Sequence, residues 1–293
     1  MNERLFARLV ALLANEPVVL ASVLQTRGAT PRKRGARMLI TAADSEFSIG
    51  GGLAEARVIA AARELLQRGS THREIEIDLS GAADAVGVCG GRMQLALRRW
   101  DGALDAARAG DIAWKLAEGA CVDLSAADLG ATSISDSATP DDRLLIVGGG
   151  HCGLALYQLA VHLDFDLWVF DEHVAHVNVA QFPLATRLTG DYSELANAVD
   201  SNRRVHAVLL NRDFQADIAA LRVLAQRPPD FLSMMGSARR IAEVRAALPD
   251  CAAALAHLSA PVGLPIGAHT PHEIAVSILA QVIANRHAQP TPS

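Results

Sequence analysis

No apolar run in this 293-residue chain approaches the roughly 18 residues that a spanning helix needs, so no membrane segment is expected. Residues 1–16 carry Glu3, Arg4 and Arg8 within an amphipathic pattern, which is unlike a signal peptide, and a cytoplasmic location is expected. The four cysteines, Cys89, Cys121, Cys152 and Cys251, form no CxxC pair. Neither a disulfide framework nor a structural zinc site is therefore indicated, and any cysteine that matters should act as a free thiol. Ten histidines supply no HExxH or comparable ligand set, so a dedicated metal site is not indicated. Positive charge is also short: 27 Lys and Arg against 32 Asp and Glu give a net charge of −5, which argues against a protein that coats nucleic acid. What is plentiful is apolar material, 51% of residues, enough at this length for about two domains with separate cores.

The most informative stretch is 144–171, LLIVGGGHCGLALYQLAVHLDFDLWVFD. An apolar run opens onto Gly148-x-Gly150-x-x-Gly153, an amphipathic Ala/Leu run follows, and a second apolar run ends at Asp171. The order reads as strand, tight turn, helix, strand. Such glycines let the backbone turn, approach a pyrophosphate and pack helix on strand, while free N–H groups at the helix start attract phosphate. Asp171 is spaced to accept from a ribose hydroxyl. A Rossmann-type domain is expected here. NAD(P) or another nucleotide is one reading of its cleft, and glycines serving packing alone is the other.

Ahead of it, apolar periodicity predicts a helix over 3–14, ended by Pro17, and a strand over 18–24. The loop 26–37 then carries Arg27, Arg32, Lys33, Arg34 and Arg37. In an acidic chain so basic a loop invites an anion such as phosphate, or else serves solubility. A strand at 38–41 leads to Gly50-Gly51-Gly52 and a helix over 53–67, a second strand, glycine turn and helix start. Glu55 in its first turn either complements the helix dipole or acts as a base or acceptor for a ligand. Between alternating strands near 75–79 and 93–97 lies Gly87-Val88-Cys89-Gly90-Gly91. Glycines on both sides leave this thiol accessible, although free cysteines are commonly buried and inert.

Residues 125–142 are rich in Ser, Ala, Asp and Gly and read as a linker, so the domains are drawn as 1–124 and 143–293. Beyond Asp171, helices are expected at 192–199 and 214–225 and strands at 205–210 and 230–235. The last strand ends in Gly236-Ser237-Ala238-Arg239-Arg240. Ser237 can cap the next helix, and in an open parallel sheet this turn should border the same cleft as 148–153, which makes Ser237 and Arg239 ligand candidates. Thr270-Pro271-His272-Glu273 opens a final helix with a capping box.

Taken together, SVLQTRGATPRKRGARMLI (22–40), SIGGGLAE (48–55), VCGG (88–91), LLIVGGGHCG (144–153), MMGSARR (234–240) and APVGLPIGAHTPHEIAVSILAQVI (260–283) resemble the XdhC family, the accessory proteins of xanthine dehydrogenase and related molybdenum hydroxylases. The resemblance implies an α/β chain, with an N-terminal cofactor-handling domain before a C-terminal Rossmann-like doubly wound parallel sheet. It implies a non-catalytic chaperone that binds the molybdenum cofactor (molybdopterin) transiently, supports its sulfuration by a cysteine desulfurase, and delivers it to apo xanthine dehydrogenase or a related hydroxylase. A homodimer is also implied. The family's CGG cysteine falls on Cys89, the expected molybdenum ligand, beside Gly90 and Gly91, and its GGG–E segment on Gly50, Gly51, Gly52 and Glu55. Two departures stand in the Rossmann half. Asp171-Glu172-His173 replaces an acid followed shortly by arginine, and Asn211-Arg212-Asp213 replaces the usual Thr-His. An NAD(P)-dependent oxidoreductase is the alternative, but the chain's two tyrosines, Tyr157 and Tyr192, provide no Tyr–Lys proton relay. Cys89 as a persulfide carrier is a third reading.

Overall fold

The computed structural model of the chain describes residues 1–81 and 90–288. They divide into two units, Met1–Pro140 and Asp141–Ser293.

The first unit runs α1 (Asn2–Leu13), β1 (Val18–Arg27), β2 (Arg37–Ile40), β3 (Ser45–Phe47), α2 (Gly52–Arg68), β4 (His72–Asp78), β5 (Arg92–Trp100), α3 (Gly102–Ala117), β6 (Val122–Leu124), α4 (Ala126–Leu129) and β7 (Asp136–Ala138). Its main sheet is antiparallel in the order β3-β2-β1-β5-β4. Strand β1 is buried on both faces, and the period of two sorts its side chains into two cores. Val18, Leu20 and Leu24 meet Leu5, Phe6 and Leu9 of α1 and Ala109, Ile112 and Leu116 of α3. Val19, Ala21 and Val23 meet Ala54, Val58, Ala62 and Leu65 of α2. The spacing of three and four on each helix provides the matching apolar stripe. Gly69, in the left-handed conformation, stops α2.

The linker expectation for 125–142 is corrected. Ser125 caps α4 in a reciprocal capping box with Asp128, β7 pairs with β6, and Leu129 and Ala138 are buried in the first unit's core. The Ser and Asp that imitate a linker composition are cap and turn residues of a folded hairpin. The boundary between units falls at Pro140/Asp141 instead.

The second unit runs β8 (Arg143–Val147), α5 (His151–Ala160), β9 (Asp166–Asp171), β10 (Thr186–Thr189), α6 (Glu194–Val199), β11 (Val205–Leu209), α7 (Phe214–Leu224), β12 (Phe231–Met234), α8 (Ala238–Ala246) and α9 (Pro271–His287). Its sheet is parallel, in the order β10-β9-β8-β11-β12. β8 and β11 are buried throughout, as strands covered on both faces must be. Residues of α6, α7 and α8 pack on one face and those of α5 and α9 on the other. From β8 the chain moves outward through β9 and β10, then returns to β11 on β8's other side. The direction of winding reverses at β8, and a crevice opens beyond the carboxyl ends of the strands there.

Candidate functional site

In the first unit the fold gathers three of the glycine and basic motifs. A Cβ on Gly91 would lie 2.3 Å from the Ala29 carbonyl oxygen and 2.6 Å from that of Arg27, and one on Gly50 would lie 2.5 Å from Pro31 Cγ. The 27–32 loop therefore rests directly on Gly91 and Gly50, at distances only glycine permits. Gly90 N–H donates to the Leu79 carbonyl at 2.7 Å and Leu79 N–H to the Gly91 carbonyl at 2.8 Å, closing the base of the β4–β5 connection. Cys89 lies outside the described residues.

The basic loop separates into two roles. Arg37 is buried, and its guanidinium donates to Asp136 at 2.6 Å and to Asn2 at 3.0 Å. Arg34, expected at a ligand, donates to the Ser135 carbonyl at 2.8 Å and lies 3.5 Å from Asp136. These two hold the loop against β7. Nothing in the sequence marks Asp136, about 100 positions away, as their partner. Arg27, Arg32 and Lys33 are exposed, and neither Arg27 nor Arg32 forms an ion pair among the described residues. Any anion that the loop accepted would meet these three.

Glu55 has a local task. Its Oε2 accepts from Ser48 Oγ at 2.7 Å, Gly51 N–H at 3.0 Å and Ile49 N–H at 3.2 Å, while Gly50 N–H donates to Ser48 Oγ at 3.0 Å. The carboxylate thus closes the turn that leads into α2, bonding the cap residue Gly51 and Ile49, and places its negative charge at the positive end of the helix. Gly51 and Gly52 nevertheless have no atom within 4 Å of a notional Cβ among the described residues, so the face of the turn is open.

In the second unit a cavity of about 410 Å³ is lined by Gly148, Gly149, Gly150, Asp171, Tyr192 and Arg212 among others. The glycines differ in function. Gly148 has φ +112, a conformation that disfavours any side chain, and a Cβ on Gly153 would sit 1.9 Å from the Gly148 carbonyl oxygen. Gly149 is equally obligatory, with the His176 carbonyl 2.4 Å from a notional Cβ. Gly150, at φ −68, needs no glycine for its own chain and faces empty space, the vacant approach that a phosphate at a helix start requires.

Asp171 is engaged within the chain. Its Oδ2 accepts from Gly149 N–H at 2.9 Å, and its Oδ1 accepts from His173 N–H at 3.0 Å and faces His176 Nδ1 at 3.2 Å. Burial, and then the charges of Glu172 and Asp171, push the Tyr192 phenol above its ordinary value, so it stays protonated as a donor. Arg212 donates to His151 Nδ1 at 3.2 Å. The turn after β12 contributes Met235 to the cavity. Ser237 caps α8 by accepting from Arg240 N–H at 3.3 Å, and Arg239 is 87% exposed in an ion pair with Glu243 at 2.9 Å. Neither lines the cavity, contrary to the expectation for that turn. Its neighbour Arg240 is the residue that matters, reaching Asp217 and the carbonyls of Asn211, Arg212 and Asp213. Asp171, His173 and His176, a grouping that the sequence reading does not name, bring one ligand atom each to within 4.8 Å of one another. The DxHxxH spacing is the signal in the sequence, with the two histidines three positions apart and His176 in a 3-10 turn, Val174–His176.

Two family models match in chain order, "XdhC and CoxI family" over residues 11–77 and "XdhC Rossmann domain" over 144–282. The chain belongs to the XdhC family. The second family model covers the strands around the cavity, and the first covers the basic loop and the Gly50–Gly52 turn. An uncharacterized protein of Escherichia coli K12, YqeB, is 30% identical over 94% of this chain and 45% of its own length. A Bacillus subtilis protein described as a probable xanthine dehydrogenase component is 29% identical over 50% of this chain and 44% of its own length. This XdhC-family chain therefore spans less than half the length of these curated relatives. A crystal structure described as a xanthine dehydrogenase from Bacillus halodurans has the same fold, with a TM-score of 0.81 at 23% identity over 97% of this chain and 96% of that one.

Proposed function

We propose that this XdhC-family chain is a maturation factor for xanthine dehydrogenase or a related molybdenum hydroxylase, and that the cargo it handles is the molybdenum cofactor. The observation that carries the reading is the seating of the 27–32 loop on Gly91 and Gly50, which collects exposed cations and open glycine backbone at one place in the first unit. The residues fit the phosphate end of such a group. Arg27, Arg32 and Lys33 would hold the phosphate or pyrophosphate by charge-assisted hydrogen bonds, and Gly51 and Gly52 leave room for close backbone approach. Arg34 and Arg37 position that loop, and Glu55 shapes the turn beside it.

Cys89 is assigned the metal end, since a thiolate suits a soft metal–sulfur centre. When bound, the group would supply a molybdenum centre whose terminal sulfido ligand, added by a cysteine desulfurase, the recipient enzyme needs. A carrier must also release what it holds. Exposed cations and a single thiol allow hand-over in a way that an enclosed cage of ligands would not. The protein is read as non-catalytic, acting as a homodimer on an apo-hydroxylase.

The test is retention of molybdenum and pterin after anaerobic purification, comparing the unmodified chain, Cys89→Ala and an Arg27→Ala/Arg32→Ala pair. Retention by the unmodified chain with loss in both variants is the expected result. Equal retention by Cys89→Ala would remove the thiol from the site but keep the carrier. No retention by the unmodified chain would overturn the proposal.

A second reading is favoured by the empty approach at Gly150: a nucleotide, NAD(P) included, bound in the second unit's cavity. The engagement of Asp171 by Gly149, His173 and His176 weighs against the usual ribose contact. Flat NAD(H) and NADP(H) titrations would dispose of the dinucleotide and of an NAD(P)-dependent oxidoreductase activity with it.

A further inference from the structure

We propose that Asp171, His173 and His176 form a binding site for a divalent transition-metal ion of the zinc class, open toward the second unit's cavity. Three observations carry it beyond the maturation role. The first is donor geometry. A tetrahedral ion with bonds of about 2.0–2.1 Å sets neighbouring donor atoms about 3.3 Å apart. Asp171 Oδ1 lies 3.2 Å from His176 Nδ1 and 3.5 Å from His173 Nδ1, so both imidazoles already stand at ligand separation from one carboxylate oxygen. The remaining pair, His173 and His176, have ring centroids 5.3 Å apart and ligand atoms within 4.8 Å, on side chains 65% and 53% exposed. Both side chains are exposed, which leaves the imidazoles room to turn toward a shared ion.

The second is preorganisation of the carboxylate. Asp171 is 11% exposed, and Gly149 N–H holds its Oδ2 at 2.9 Å, which turns Oδ1 toward the two histidines. A hydrogen-bonded, oriented ligating carboxylate is what metal sites require of their surroundings. The loop that brings in His176 is itself pinned, because the His176 carbonyl packs on Gly149 at a distance no side chain there would allow.

The third is charge. Asp171, Glu172 and Asp213 line the cavity against the single guanidinium of Arg212, and Glu172 Oε1 stands 3.8 Å from His173 Nδ1. An acid-rich wall is a poor unaided host for a polyanion and a good one for a cation. Two imidazoles and one carboxylate favour zinc, cobalt, nickel or ferrous ions over magnesium or calcium, which prefer oxygen donors. Three protein ligands leave at least one position facing the cavity, to be filled by water or by an oxygen of whatever the cavity holds.

The test is a Co²⁺ titration of the metal-stripped full chain. We expect one ion per chain, visible ligand-field absorption without a thiolate-to-metal charge-transfer band, displacement by Zn²⁺ but not by Mg²⁺, and two hyperfine-shifted imidazole signals in the unmodified protein. His173→Ala and His176→Ala should each weaken binding at least about tenfold, and the pair should abolish it, with circular dichroism unchanged because both side chains are exposed. Undiminished binding in the double variant, a charge-transfer band assigning the ion to a cysteine, or no binding at stoichiometric Co²⁺ would each overturn the site. Since cofactor retention depends on the first unit, these outcomes are separate from the test of the maturation role.

Discussion

Replacing Arg240 by Met keeps most of the side-chain volume and removes the charge that ties three parts of the second unit together. Arg240 Nε donates to Asp217 Oδ2 at 2.9 Å, and the guanidinium also donates to the carbonyls of Arg212, Asn211 and Asp213 at 2.6, 3.0 and 2.9 Å. Asp217 is fully buried, and its other oxygen accepts from Asn211 Nδ2 at 3.1 Å. Breaking a buried pair from one side leaves a charge without compensation, which costs about 3–5 kcal/mol. For a unit of this size that corresponds to a fall of about 6–20 °C in the melting transition of the second unit. The pH dependence is equally specific. Burial raises the pKa of Asp217, against the opposing hydrogen bonds from Arg240 and Asn211 and the charge of Arg240. Loss of Arg240 removes two of those opposing influences, so the folded-state value climbs further above that of the unfolded chain. A carboxyl raised in this way is no burden below its unfolded value of about 3.9 and becomes one as pH rises through the folded value. The deficit of Arg240→Met should therefore be smaller at pH 5 than at pH 8, and adding Asp217→Asn should recover part of it. Thermal melts of the unmodified chain and the two variants at both pH values decide the matter. A cost under about 1 kcal/mol, or a deficit that grows in acid, would refute the reasoning.

Other positions give sharp contrasts. Gly153→Ala forces a Cβ to 1.9 Å from a backbone carbonyl and should cost at least the ~3 kcal/mol upper end of ordinary overpacking, whereas Gly150→Ala meets open space and should stay within about 1 kcal/mol while blocking any phosphate at that helix start; denaturant midpoints and a nucleotide titration separate the two. Gly91→Ala should dislodge the loop at Arg27 and Ala29, seen as faster proteolysis within 27–35 and loss of cofactor retention with the second unit's melt unchanged. Burial alone would raise the pKa of Asp142, but the hydrogen bond from His206 and the charges of Arg286 and Arg204 outweigh it and hold it below the usual carboxylate range. That stability is present above about pH 4 and is lost as pH falls through the depressed value, so the deficit of Asp142→Asn should be full at neutrality and vanish in strong acid, as acid titrations of both proteins can measure.

Layering was legible from the chain because it depends on neighbours a few positions apart. The apolar run of β1 and the three-four spacing of α1, α2 and α3 mark these elements, and the 144–171 pattern announces the turn at β8. Composition misled at 125–142, where capping residues and a short hairpin look like a linker until Leu129 and Ala138 find their core. β10, only four residues long, carries too little periodicity to be read in advance.

The sequence alone determined where the chain turns, which faces are apolar and which motifs border a cleft, since those properties follow from local periodicity and from glycine's freedom of conformation. Tertiary structure decided which side chains are free to act. Arg34 and Arg37 look like Arg27 and Arg32 in the chain, but Asp136 claims the first two from a distant hairpin. Arg239 and Arg240 are adjacent, but successive residues of a helix point about 100° apart, so one faces solvent and the other a buried carboxylate. Pairing between distant residues is a property of the packed chain, and no spacing within a single segment encodes it.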